Sequence, residues 1–139
     1  MNSQVKNTFV CALVGGAFYY FLAYFWAYFP DINPIFRGLI SCCSATSWFR
    51  PTLLAHDIFI NILLSIPLAL FIVKLKPKNV WMYVLSAVLT IFVAGHQHLL
   101  FSADVNWQIS DISLGWGMEL YSLPIAILLI TFLGKSETT

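Results

Sequence analysis

The segment that decides the fold is Asp57-Ile-Phe-Ile-Asn-Ile-Leu-Leu-Ser-Ile-Pro-Leu-Ala-Leu-Phe-Ile-Val-Lys74. Sixteen uncharged residues separate its two end charges, about 24 Å of α-helix at 1.5 Å per residue. The hydrocarbon core of a bilayer is about 30 Å thick and asks for about 20 residues. A helix that crosses here must begin before Asp57, and it carries His56 and Asp57 into the membrane boundary. The rest of the chain repeats the pattern with longer gaps. There are 24 uncharged residues between Lys6 and Asp31 and 25 between Lys78 and Asp104, and the 23 residues between Asp111 and Lys135 hold a single charge, Glu119. The gaps predict spans near 8–29, 52–73, 80–101 and 112–133.

Composition supports lipid as the solvent. Of 139 residues, 60% are hydrophobic and 9% charged, with mean hydropathy +0.82. Ordinary soluble domains carry about a quarter charged residues. Thirteen formal charges, Lys+Arg 7 and Asp+Glu 6, cannot cover the exterior of such a chain. A net charge of +1 without a basic run leaves no electrostatic footprint for nucleic acid. Neither barrel-type alternating strands nor an internal repeat is legible. The expected fold is all-α: a polytopic integral membrane protein, one transmembrane domain over residues 1–139, with four transmembrane helices in an antiparallel bundle.

Orientation follows from the basic residues. Lys6, Lys74, Lys76, Lys78 and Lys135 fall on one side, Arg37 and Arg50 on the other, which predicts cytoplasmic N- and C-termini. The first segment is too long for a signal peptide and has no small-residue cleavage site after it. Nine of the twelve residues from Phe18 to Phe29 are aromatic, as suits an interfacial belt. Residues 30–51 form an apolar outer loop, interfacial or re-entrant, in which Asn33 caps a short turn whose first residue is Pro34. It reads either as a surface-lying connector or as a lid over a pocket. Cys11, Cys42 and Cys43 make no disulfide framework; they read as buried thiols, or for the adjacent pair as soft-metal ligands.

Polar residues within spans usually face the bundle interior, and rotation at 100° per residue sorts them. Asp57, Asn61, Ser65 and Ala69 share one stripe of the second span, with His56 pointing away. Ser86, Ala87, Thr90, Ala94, Gln97 and His98 share a face of the third. Gly115, Glu119, Ser122 and Ala126 share a face of the fourth. Ala12, Gly16, Ala23 and Ala27, with Tyr20 nearby, give the first span a small-residue packing face. Asp57, His98 and Glu119 lie within roughly 5 to 10 Å of the outer boundary. They read as interhelical glue with Asn61 and Gln97, or as a binding pocket formed by Asp57, Asn61, Gln97, His98, Glu119 and Ser122. A catalytic acid/base centre, or a divalent-metal centre of Asp57, His98 and Glu119, is a further reading; one inward His and no HExxH make a poor metal set. No cofactor is expected. Besides the bilayer, a membrane-protein partner or a second copy is an expected class of partner.

Once the polar positions are in order, a resemblance emerges. Asn33-Pro-Ile-Phe-Arg37, Asn61-Ile-Leu-Leu-Ser-Ile-Pro-Leu-Ala-Leu70, and Gln97 followed by Asp104 and Asp111 resemble motifs of VanZ-like membrane proteins over most of residues 30–126. The family's Glu three residues before the Gln is Ala94 here, and no Arg lies between Gln97 and Asp111. The resemblance implies a bacterial inner (plasma) membrane protein of the cell envelope, linked to low-level resistance to the glycopeptide teicoplanin. It points to Asn33, Asn61, Pro67, Gln97 and Asp111. The functional expectation is an outward-facing polar pocket for an envelope component, lipid headgroup or drug-like ligand. The alternatives are a partner or immunity-type subunit of a membrane complex or against a pore-forming toxin, and a membrane-embedded hydrolase or transferase acting on lipid-linked substrates.

Overall fold

The computed structural model describes residues 3–43, 46–75, 77–100 and 117–136. They form an all-α structure: α1 (Ser3–Ile32), α2 (Pro34–Cys43), α3 (Phe49–Lys74), α4 (Val80–Leu100) and α5 (Gly117–Ser136). The helices predicted at 8–29 and 52–73 are each extended at both ends, and 80–101 matches α4 closely. The predicted start of the last helix, 112–116, lies outside the described residues, as do Asp104 and Asp111. The expected loop after the first span contains a helix of its own. α2 begins as its sequence suggests: Pro34 occupies the first helical position, and the Ile35 N–H donates to Asn33 Oδ1 at 3.0 Å, the bond of a side-chain N-cap.

Two helices among the described residues are long and apolar enough to cross a membrane, over Ser3–Phe29 and Pro51–Lys74. The apolar stretches of α4 and α5, Val80–Gly95 and Tyr121–Gly134, are shorter. Only 17% of the most apolar window of α1 is buried, and 28% of that of α3. Phe9, Leu13, Tyr24, Phe59, Leu85 and Phe132 are all exposed. Apolar helices with so little of their surface covered suit a non-aqueous surrounding.

The tightest packing joins α1 to α4 and α3 to α5, not consecutive helices. The Ser86 hydroxyl donates to the Thr8 carbonyl at 3.2 Å, and Thr90 Oγ1 donates to the Ala12 carbonyl at 2.7 Å. Both partner positions advance together, so α1 and α4 run parallel. Trp26 meets Asn61 and Phe29 meets His56, so α1 and α3 run antiparallel. At the centre, Cys11, Ala69, Ala87 and Ala126 put one fully buried small residue from each of α1, α3, α4 and α5 into the core, where small side chains let backbones approach.

The face by which α1 packs differs from the expected one. Gly15, not Gly16, is the contact: a Cβ there would lie 2.6 Å from the Ala87 carbonyl oxygen and 2.8 Å from its Cα. A Cβ on Gly16 would meet nothing within 4 Å, and Tyr20, Ala23 and Ala27 are exposed. Small residues stand on both sides of this helix, so size alone did not identify the buried one. Pro67 and Pro124 lie inside α3 and α5, and both helices continue through them.

Candidate functional site

Besides the hydroxyls at the α1–α4 contact, the described polar side chains form two groups around α3. The first is the corner where the end of α1 meets the first half of α3. His56 Nδ1 lies 3.0 Å from Asp57 Oδ1, and His56 Nε2 lies 3.2 Å from Asn33 Nδ2. The Phe29 ring stacks on the imidazole at a centroid distance of 6.1 Å and 21°. Further along α3, Trp26 Nε1–H donates to Asn61 Oδ1 at 3.0 Å. Asn33 and Asn61 are buried, whereas the side chains of His56 and Asp57 remain 16% and 22% exposed. The corner is therefore a polar group that solvent can reach, resting on buried amides.

Sequence rotation separates His56 from Asp57 by about 100°, yet their side chains meet. Rotation describes where Cβ leaves the helix, and an imidazole is long enough to swing back across one position. Asn33 and Phe29 hold it there. Sequence reasoning read Asn33 as a cap and as a position of the VanZ-like resemblance, and missed its contact with His56, because nothing in the local pattern shows which helix lies opposite.

The second place is the α3–α5 interface. Ser65 Oγ lies 2.8 Å from the Asn61 carbonyl and 3.0 Å from Ser122 Oγ, and both serines are buried. The two distances suit a relay in which Ser122 donates to Ser65 and Ser65 to Asn61, one proton per bond. Ser122 thus sits on the predicted stripe, in the packed interior. Asn61 connects the two places, its side chain toward Trp26 and its carbonyl toward Ser65.

Gln97 and His98 lie on α4 and Glu119 on α5, and their side chains fall outside the described residues. The expected convergence of Asp57, His98 and Glu119 is thus represented by Asp57. Among the described residues no group of three His, Cys, Asp or Glu side chains is placed to hold a metal ion. Cys11 is a buried free thiol, while the side chains of Cys42 and Cys43 lie outside the described set.

Comparison with protein-family models, with curated proteins and with solved structures finds no match for this chain.

Proposed function

We propose that the chain is a polytopic membrane protein. In this reading α1, α3, α4 and α5 are its four spans, α2 lies at the outer surface, both termini are cytoplasmic, and the α1–α3 corner binds a lipid headgroup or related envelope component. The observation that carries the reading is the partly exposed His56–Asp57 pair at the end of helices whose other exposed side chains are largely apolar. A carboxylate at the edge of a bilayer is costly unless paired or wetted. Its neighbour His56 occupies Oδ1, and Oδ2 makes no hydrogen bond among the described residues. That oxygen suits a donor-bearing ligand, an ammonium headgroup above all. If the VanZ-like resemblance holds, the membrane is the bacterial inner membrane and the ligand belongs to the cell envelope.

The test compares lipids. Thermal unfolding of the full chain in detergent is measured with phosphatidylethanolamine, whose ammonium donates, and with phosphatidylcholine, whose quaternary nitrogen does not. Phosphatidylethanolamine should raise Tm over phosphatidylcholine, and Asp57→Asn should remove the difference while leaving helicity intact. An equal response to the two lipids, or an unaltered difference in Asp57→Asn, rejects headgroup recognition here. Reporter fusions at each terminus test the four-span topology separately; opposite locations for the two ends reject it.

A second reading, a partner subunit, is favoured by one observation. Leu13, Gly16, Ala17 and Tyr20 of α1, with Thr90 and Val93 of α4, line an open groove on the outside of the bundle, and nothing described stands over Gly16. Co-purification in mild detergent distinguishes it: a strictly monomeric, partner-free particle counts against a subunit role.

A further inference from the structure

The groove on the outside of α1 and α4 opens toward a cation. Phe9, Leu13, Gly16 and Tyr20 of α1 line it with Val93 and Ala94 of α4, around a volume of about 430 Å³. From Phe9 to Tyr20 is eleven residues, about 16 Å of helix. That is close to half of a hydrocarbon core about 30 Å thick, so the groove runs the depth of one leaflet. Lys6 stands three residues before Phe9, seven before Leu13, ten before Gly16 and fourteen before Tyr20, a spacing that keeps to one helix face. It is exposed and makes no ion pair among the described residues. Lys74 and Lys78, at the same end of the bundle, are exposed and unpaired in the same way, whereas Asp57 lies at the opposite end.

We infer that this groove binds one anionic phospholipid, its phosphate at Lys6 and one acyl chain laid along α1 from Phe9 to Tyr20. The inference rests on the four-span reading, in which Lys6 meets the cytoplasmic leaflet, and not on what the α1–α3 corner takes. An apolar cleft alone accepts any chain. The unpaired ammonium at its mouth selects the sign of the headgroup, and one lysine strengthens attachment to an anionic lipid surface by about fivefold. Thr90 also lines the groove, but its hydroxyl is committed to the Ala12 carbonyl at 2.7 Å, so charge recognition falls to Lys6. A second copy of the chain fits worse. Two copies in one membrane share one orientation, and a pair joined through this groove would bring Lys6 toward Lys6, like charge against like. A phosphate brings the opposite sign.

Native mass spectrometry of the full chain, released from neutral detergent at low ionic strength, reads the lipid directly. Phosphatidylglycerol should be retained about fivefold more than phosphatidylcholine of the same chains. Neither lipid carries an ammonium N–H, so the corner at Asp57 does not enter the comparison. Lys6→Gln should bring the two lipids level, and Lys6→Arg should keep the preference. At Gly16 a Cβ meets nothing within 4 Å, so Gly16→Leu fills the cleft without disturbing the bundle and should lose both lipids. An unchanged preference in Lys6→Gln, or unchanged retention in Gly16→Leu, overturns the inference. Displacement of phosphatidylglycerol by inorganic phosphate alone also overturns it, since that marks a site for the free anion. Should a variant fail to fold, phosphatidylglycerol with a photoactivatable group in its acyl chain decides on the parent in nanodiscs. Label concentrated on residues 9–20 and 90–94 supports the groove; even labelling of every exposed helix face, or a second chain cross-linked there, overturns it. The membrane reading fails by a different result, release of the chain from membranes by alkaline carbonate.

Discussion

Gly15 and Ala87 bring two helix backbones into direct contact: the site where a Cβ of Gly15 would stand is 2.6 Å from the Ala87 carbonyl oxygen. Neither side of this contact is a flexible side chain that could turn away. The hydroxyls of Ser86 and Thr90 reach the α1 carbonyls of Thr8 and Ala12 because the helices lie this close. Removing the glycine therefore removes more than its own contact.

Gly15→Ala should push α1 away from α4, lengthen the Thr90–Ala12 bond and cost about 1–3 kcal/mol, the usual range for overpacking. Gly16→Ala, where a Cβ meets nothing within 4 Å, should be neutral or stabilising by up to about 1 kcal/mol, since alanine favours helix. Thermal unfolding in detergent micelles, followed by circular dichroism, compares the two. Equal losses at both positions would contradict the packing described here.

Ser65 and Ser122 should behave as a coupled pair. Each change to alanine leaves the other hydroxyl with one fewer partner in a buried interface, so the double variant should lose less than the two single variants together. A coupling energy of about 0.6 kcal/mol, within a range reaching about 1.7, is the scale for such bonds between membrane helices. A double-mutant cycle measures it, and strict additivity would show that the hydroxyls do not interact.

Tyr83 offers the opposite sign. Its side chain is 1% exposed, and its hydroxyl has no hydrogen-bond partner among the described residues. Burying an unsatisfied hydroxyl costs about 1–3 kcal/mol. Tyr83→Phe should therefore hold or raise the unfolding temperature, while Tyr83→Ala should lower it sharply by opening a cavity. A clear loss in Tyr83→Phe would reveal a bonded hydroxyl.

Asn61→Leu should leave Trp26 Nε1–H without its acceptor, at a cost of about 1–3 kcal/mol. Trp26→Phe in the same background should recover part of that loss, because the orphaned donor is gone. Stability of the four members of this cycle is the readout. No recovery would mean that Asn61 acts through packing alone.

The spacing of charges made the helices legible, because most charges fall near their ends: Lys6, Asp31, Lys74 and Lys135 each lie within about a turn of a helix terminus. The Asn33-Pro34 start of α2 was legible too, as a cap before a residue with no N–H. Rotation was harder to read. The stripe Asn61, Ser65, Ala69 is buried as its spacing suggests, since polar residues identify the inward face of an otherwise apolar helix. On α1 there are few such markers: Gly15 and Gly16 are adjacent, and only the approach of Ala87 distinguishes them. The His56–Asp57 contact was not legible either, because it is fixed by Asn33 and Phe29 from the end of another helix.

The parallel pairing of α1 with α4 has a consequence for biosynthesis. Thr8 and Ser86, like Ala12 and Thr90, are 78 residues apart in the chain, so α1 docks against a helix that is made after α2 and α3. Until Thr90 has emerged, α1 has no partner for the cleft at Gly15, and the short contact at Trp26 and Asn61 is its main tie to α3. Contacts of long sequence separation form late in folding, and domains assemble in the order in which they are made. α1 thus waits, apolar and largely uncovered, until α4 has been made. Truncation before α4 should leave it exposed to chaperones and proteases.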